Sequence, residues 1–212
     1  MSDLSLTKFI MKYGEPYSKV LGIDLAKGDS GEILKWFLAS ILYGKPIRES
    51  SATRTYRCFE RRGVLTLDKI LEMEWEGLVN ILDEGGYVRY DFSTADRLLE
   101  VFGKLKEEYS GDLNLLYKRA VNSRDIEERL MSLGKGIGPT TISIFLRDMR
   151  EVWPKADPTP TPLVREAMDK LGIADLKGFA HRRKLNIIRL ETALFRASKE
   201  FLKKGRKFSV KI

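Results

Sequence analysis

The apolar residues of this chain recur at the three- and four-residue spacing of an α-helix. The segment from Thr94 to Tyr109 is the clearest case, with one apolar face formed by Ala95, Leu98, Leu99, Phe102 and Leu105. No alternating apolar and polar run longer than a few residues indicates a strand. The sequence therefore predicts an all-α fold.

Glycine and proline divide this helical pattern into separate segments. Besides 94–109, helices are expected at 33–42, 53–62, 67–73, 76–83, 125–133, 139–149, 162–171 and 181–204, the last being the longest. Ser123 is expected to cap the helix at 125–133. Pro162 in a first turn and Gly172 after the last turn mark a further helix.

Composition excludes several classes of protein. The 212 residues contain a single cysteine, Cys58, and a single histidine, His181, so neither a four-cysteine iron–sulfur cluster nor a zinc site is expected. No apolar run approaches the roughly 20 residues that span a bilayer. The segment from Met1 to Gly14 lacks a secretory apolar core, so we expect an intracellular protein of the cytoplasm or nucleoid, without membrane contact.

Positive charge is concentrated in two segments. Residues 177–212 hold twelve lysines and arginines against two glutamates, although the whole chain carries only +8. A second basic segment runs from Lys45 to Arg62. Clustered cations favour a polyanionic partner such as nucleic acid, because they release counterions from its phosphates. A solvated helix face with a basic tail explains the same pattern, so charge alone leaves both interpretations open.

The most informative motif is the run from Leu130 to Ile142. It predicts a helix, a tight Gly136-Ile137-Gly138 turn and a second helix. Glycine permits a positive φ and a close approach of phosphate to the backbone. The start of the second helix offers free N–H groups and a positive dipole end. Such a hairpin binds phosphate without reading base sequence, whereas an ordinary glycine-closed pair of helices would have no ligand.

The run from Leu133 to Leu146, followed by Trp153-Pro154-Lys155-Ala156-Asp157, resembles the hairpin and catalytic-aspartate block of the endonuclease III superfamily of DNA glycosylases. The resemblance covers about residues 33–172 and is loose outside 136–157. It implies two helical lobes with a cleft, and one helix-hairpin-helix motif followed by a proline-rich loop that carries an aspartate. It also implies a DNA N-glycosylase of base-excision repair, which flips a damaged or mismatched base out of double-stranded DNA.

Carried over residue by residue, the resemblance assigns catalysis to Asp157, whose alternative role is a helix cap. Thr140 falls where bifunctional members carry their Schiff-base lysine, and it has no amine, so a monofunctional enzyme is expected. The hairpin carbonyls of Ser132, Gly134 and Ile137 would bind Na⁺ or K⁺, and no other cofactor is implied.

The remaining candidates follow from residue type and position. Aromatic rings that could stack on a flipped base are Trp36, Tyr43 and Tyr87. The expected DNA contacts are Lys135, Gly136, Ile137, Gly138, Thr141, Arg182, Arg183 and Lys184.

We expect a monomer with an N-terminal extension, 1–30, that packs on a glycosylase-like domain, 31–212. One lobe would span about 67–133, and the other would combine 31–66 with 134–212. Two other hypotheses stay open. In the first, the chain is a non-catalytic helix-hairpin-helix protein that binds damaged DNA. In the second, it is a bifunctional glycosylase and lyase that uses another lysine, such as Lys135.

Overall fold

A computed structural model describes residues 3–203 of the chain, and it is all-helical. The helices are α1 (Asp3–Tyr13), α2 (Tyr17–Val20), α3 (Ser30–Tyr43), α4 (Glu49–Arg61), α5 (Leu67–Glu72), α6 (Glu74–Glu84), α7 (Asp91–Tyr109), α8 (Leu113–Arg119), α9 (Ser123–Ser132), α10 (Pro139–Met149), α11 (Pro162–Leu171), α12 (Leu176–Arg182) and α13 (Ile187–Lys203). Residues 3–203 contain no strand, so the predicted all-α class is confirmed. No helix in this range is both long enough and apolar enough to cross a membrane.

The described residues divide into two units, one of which combines 3–20 with 159–203, near the two ends of the chain, while the other spans Leu21–Pro158. The first unit holds α1, α2 and α11 to α13, and the second holds α3 to α10. These boundaries differ from the lobes expected from the sequence. The ranges 31–66, 67–133 and 134–158 fall in one unit, because α3 packs against α4, α8 and α10, and α4 packs against α6.

The core of the Leu21–Pro158 unit is built around α3. This helix is buried on nearly all sides, as a helix with so few polar residues must be. The ring of Phe37 meets Phe145 of α10 edge-on at 5.1 Å and Phe102 of α7 at 6.1 Å. At the end of α3, Gly44 lies so close to α10 that a methyl group on it would clash with the Thr141 hydroxyl, 2.1 Å away. The start of α10 is therefore fixed directly against α3.

The unit formed by the two ends of the chain is organised by α13, which packs against α1, α11 and α12. Arg196 of α13 lies over the ring of Tyr17 at 5.3 Å and donates a hydrogen bond to the Glu15 carbonyl oxygen at 3.0 Å. The predicted helix at 181–204 is interrupted, because Lys184 has a left-handed backbone with φ of 52°. The Asn186 side chain then accepts a hydrogen bond from the Arg189 N–H, as an N-cap does. Lys204 lies outside the described residues.

Candidate functional site

A six-residue loop, 133–138, joins α9 to α10, and we call it the glycine loop. Leu133 and Ile137 are buried and anchor its two ends. Lys135 and Gly136 are exposed at its tip. Gly136 has a φ of 92°, which an L side chain rarely adopts, so the turn requires glycine at that position. The glycine loop therefore presents bare backbone and one lysine side chain to its surroundings.

The start of α10 carries no side-chain cap. Its N-cap residue is Gly138, and Pro139 occupies the first helical position. By contrast, the Asn122 side chain caps α9 and the Thr161 side chain caps α11. An uncapped helix start leaves backbone N–H groups and the positive end of the helix dipole available to an anion. The glycine loop thus leads into a helix end suited to a phosphate oxygen.

Three polar side chains of α7 lie along the glycine loop and the last residue of α9. The Arg97 side chain covers Gly136, where a methyl group would lie 2.3 Å from its Nε. A Glu100 carboxylate oxygen accepts a hydrogen bond from the Lys135 N–H at 3.1 Å. The Lys104 ammonium donates to the Ser132 carbonyl oxygen at 2.6 Å. These residues were not among the sequence candidates, since they occupy the polar face of an amphipathic helix and only the tertiary fold brings them to the glycine loop.

The two threonines at the start of α10 differ in exposure. Thr140, at the position that the resemblance aligns with a lysine, is partly exposed. Thr141 is only 5% exposed, and its hydroxyl packs against Gly44. Thr141 therefore belongs to the contact between α3 and α10, and the structure does not support its assignment as a DNA contact. Ile137 is buried as well, so only its backbone can face a ligand.

Asp157 ends a segment that is anchored at three points, and we call residues 153–157 the anchored segment. The Trp153 ring stacks on Tyr117 of α8 at 4.9 Å, and its indole N–H donates to Asn114 at 3.0 Å. The Lys155 ammonium binds the last carbonyl oxygens of α8, at Tyr117 and Ala120, and lies over the Tyr117 ring. This lysine thus acts as a cation at the negative end of a helix.

The third anchor is the backbone of Asp157 itself. The Ser123 hydroxyl donates to the Asp157 carbonyl oxygen at 2.9 Å and accepts from the Asp157 N–H at 3.1 Å. The predicted N-cap role of Ser123 is wrong, because Asn122 caps α9 and leaves the Ser123 hydroxyl to hold Asp157. The alternative role of Asp157 as a helix cap is also wrong, since Thr161 caps α11. Asp157 is exposed, on a backbone fixed to the start of α9.

The three aromatic residues proposed to stack on a base are in the protein core. Trp36, Tyr43 and Tyr87 are each at most 1% exposed. Trp36 donates to the Phe145 carbonyl oxygen at 3.1 Å, and Tyr43 shares a hydrogen bond with Thr53 at 2.7 Å. Burial raises the pKa of the Tyr87 phenol, which donates to the Leu42 carbonyl oxygen. All three rings stabilise the packing around α3 and α4, and their assignment to a base pocket is not supported.

The basic residues expected at a phosphate surface occupy different surroundings. Arg182 and Lys184 are exposed at the end of α12, and Arg183 lies over the Phe179 ring at 5.8 Å. These three belong to the unit formed by the chain ends, whereas the glycine loop belongs to the Leu21–Pro158 unit. In the basic segment 45–62, Arg61 and Arg62 both bind Glu84 at 2.6 Å. That carboxylate offsets part of the positive charge expected from the sequence.

The carbonyl groups assigned to a monovalent cation do not form a free set of ligands. The Ser132 carbonyl oxygen accepts the Lys104 ammonium, and the Gly134 carbonyl oxygen accepts the Ile137 N–H at 3.4 Å. A cation placed here would lie beside the positive charge of Lys104, so these residues do not fit Na⁺ or K⁺. Within residues 3–203, no group of three or more His, Cys, Asp or Glu side chains is arranged to hold a metal ion.

Comparison with known proteins finds no family model, no curated protein and no solved structure that matches this chain.

Proposed function

We propose that this protein is a monofunctional DNA N-glycosylase that grips the phosphate backbone of duplex DNA with the glycine loop and uses Asp157 in base excision. The observation that carries the proposal is the double hydrogen bond between Ser123 and the Asp157 backbone. These bonds fix the backbone of the exposed residue Asp157 to the start of α9, and the end of the same helix leads into the glycine loop.

Phosphate binding is supported by the surface of the glycine loop. Gly138 leaves its backbone bare, α10 begins without a side-chain cap, and Lys135 adds a positive charge at the tip. Arg97 adds a second cation beside the turn. Backbone N–H groups at a helix start, together with flanking cations, bind phosphate oxygens regardless of base sequence. We therefore expect salt-sensitive binding with little sequence preference.

The spacing of the two features suits one DNA strand. Ser123 opens the ten-residue α9, and the glycine loop follows its last residue. At 1.5 Å per residue, these two ends are about 15 Å apart. One DNA strand places a phosphate at about every 3.4 Å along the helix axis. The glycine loop would thus hold phosphates a few nucleotides away from the nucleotide that Asp157 acts on.

The proposed chemistry needs a carboxylate and a water molecule. The N-glycosidic bond breaks with its electron pair leaving on the base, and the sugar becomes oxocarbenium-like. The Asp157 carboxylate opposes that positive charge and accepts a proton from the water that bonds to the anomeric carbon. The departed base takes up a proton from solvent, and Asp157 returns its proton to solvent. The anchored segment fixes the Asp157 backbone before DNA arrives, which avoids a cost of ordering at the reaction step. Thr140 has no amine and cannot form an imine with the sugar.

A second candidate function is binding of damaged DNA without catalysis. Two observations favour it: Asp157 is exposed in the free protein, and Trp36, Tyr43 and Tyr87 are all in the core. An electrostatic catalyst needs a site from which water is excluded. In the glycosylase proposal the bound DNA must supply that exclusion, whereas a binding protein does not require it.

The test is incubation of the protein with duplexes that carry single damaged bases, mismatches or an abasic site. The strands are then analysed with and without hot alkali. Nicks that appear only after alkali support the monofunctional glycosylase. Nicks without alkali, trapped by borohydride, show a lyase that uses a lysine such as Lys135. Binding without nicks on any lesion shows a binding protein, and failure to bind duplex DNA contradicts both proposals.

The matched variants are Asp157→Asn and Asp83→Asn, which each remove one exposed carboxylate from the same unit. We expect Asp157→Asn to lower the excision rate on the order of 100-fold, since one well-placed electrostatic group is lost. Its DNA affinity should stay equal or rise, because an anion near phosphate is removed. The Asp83→Asn variant should excise at the wild-type rate. Equal rates for all three proteins would show that Asp157 is not catalytic.

A further inference from the structure

The carbonyl at the end of α9 is held by a side chain from another helix. The Lys104 ammonium of α7 donates to the Ser132 carbonyl oxygen at 2.6 Å. Ser132 is the last residue of α9, so its carbonyl has no partner within the helix. It also lies at the negative end of the α9 dipole, which favours a cation. Lys104 thus supplies a positive charge where the chain leaves α9 for the glycine loop.

Other hydrogen bonds complete the support of the glycine loop. Glu100 of α7 accepts the Lys135 N–H at 3.1 Å, and the Gly134 carbonyl oxygen accepts the Ile137 N–H at 3.4 Å. The Glu108 carboxylate lies 3.7 Å from the Lys104 ammonium. Polar side chains of one neighbouring helix therefore contact both the entry to the glycine loop and its tip.

We propose that the Lys104 ammonium takes the place of a bound monovalent cation, so that the glycine loop is held in shape without Na⁺ or K⁺. An ammonium and a bare alkali cation can each satisfy a helix-end carbonyl, but they cannot occupy the same position. The glycine loop should then be insensitive to which monovalent cation the buffer contains. The consequence for DNA binding rests on the proposed function, while the consequence for folding does not.

The experiment compares potassium, sodium and choline chloride at one ionic strength. Choline serves as the reference, because its quaternary ammonium has no N–H donor and is too large to bind a backbone carbonyl as Na⁺ or K⁺ does. Three proteins are measured: wild type, Lys104→Met and Lys106→Met. The control residue Lys106 is on the same helix and binds Asp68 at 2.7 Å, so Lys106→Met removes an equal charge without touching the glycine loop. The readouts are Tm without DNA and affinity for duplex DNA.

For the wild type and for Lys106→Met, we expect the Tm and the DNA affinity of each protein to be the same in all three salts. In choline, the Tm of Lys104→Met should lie about 2–4 °C below that of the wild type, the shift typical of one lost charge-assisted hydrogen bond in a chain of this size. It should recover part of that loss in sodium or potassium, which can then reach the Ser132 carbonyl. DNA affinity should follow the same pattern.

Two results would overturn the proposal. One is a wild-type Tm that rises in potassium or sodium relative to choline. The other is a Lys104→Met variant whose Tm matches Lys106→Met in every salt. The Tm measurements contain no DNA, so a protein that fails to bind duplex contradicts the proposed function alone and leaves this inference standing or falling on its own data.

Discussion

The Ser123 hydroxyl binds both backbone groups of Asp157, donating to the carbonyl oxygen at 2.9 Å and accepting from the N–H at 3.1 Å. If Asp157 is catalytic, Ser123→Ala should lower the excision rate about 10-fold or more, because small displacements of a reacting group are costly. DNA affinity should change little because Asn122 still caps α9, whereas Tm should fall by about 2–4 °C because both hydrogen bonds of the Ser123 hydroxyl are lost. The excision rate and the Tm of Ser123→Ala are measured beside those of Asp157→Asn and the wild type. An unchanged rate for Ser123→Ala would show that the anchor only shapes the loop.

The two glycines that flank Ile137 should respond differently to alanine. At Gly136, φ is 92° and a methyl group would meet Arg97, so Gly136→Ala should destabilise the fold by about 1–2 kcal/mol. At Gly138, φ is −102° and a methyl group meets nothing within 4 Å. Gly138→Ala should therefore melt like the wild type but bind DNA more weakly, because the methyl group blocks a phosphate. Unchanged DNA binding by Gly138→Ala would contradict a phosphate at that position.

Arg97 is expected to contact DNA phosphate beside the glycine loop. Arg97→Met should weaken binding and reduce the slope of log affinity against log salt by about one, the effect of one lost phosphate contact. Arg97→Lys should keep the slope, since the charge remains. Lys106→Met, on the same helix but paired with Asp68, is the control. A slope that is equal in Arg97→Met and wild type would place DNA elsewhere.

Glu84 should make folding sensitive to acid. Hydrogen bonds from Arg61, and next from Arg62, lower the pKa of this carboxyl below its ordinary value of 4.5. A lowered pKa in the folded state stabilises the fold above pH 4.5, and that stabilisation is lost as the pH falls through the folded-state pKa. The Tm of Glu84→Gln should therefore fall less than that of wild type when the pH is lowered from neutral to well below 4.5. Parallel plots of Tm against pH for the two proteins would show that Arg61 and Arg62 do not stabilise the fold through the Glu84 carboxylate.

Thr140→Lys should add lyase chemistry only if bound DNA brings the abasic sugar from Asp157 to the start of α10, since the length of α9 separates the two positions by about 15 Å. Thr140 is partly exposed at the start of α10, so a lysine there can extend into solvent. Its amine would form an imine with the sugar, and the expected readout is strand nicking without alkali together with a borohydride-trapped adduct. Trapping by the wild type would instead identify another lysine as the nucleophile.

The helices were predictable where burial follows a local period. The apolar face of α7 and the buried α3 can both be read from spacing alone. The break between α12 and α13 could not, because Lys184 is a non-glycine residue in a left-handed conformation. Asn122 and Ser123 are both good capping residues, and only the tertiary partner Asp157 decides which of them caps α9.

The candidate site was predictable in part. The glycine loop and Asp157 each lie within one short stretch of sequence, so their residues could be named in advance. The α7 side chains that surround the loop lie about 30 residues earlier in the chain, and no local pattern marks them. The buried rings of Trp36, Tyr43 and Tyr87 show the same limit, because residue type alone does not separate a core aromatic from a pocket aromatic.

The anchored segment imposes a length rule on the chain. Trp153, Lys155 and the Asp157 backbone each have a separate partner on α8 or α9. A single residue inserted or deleted between Trp153 and Asp157 would pull at least one of these three from its partner. Insertions should therefore be tolerated on many exposed loops of this protein but not here, so the number of residues between Trp153 and Asp157 is fixed by the fold.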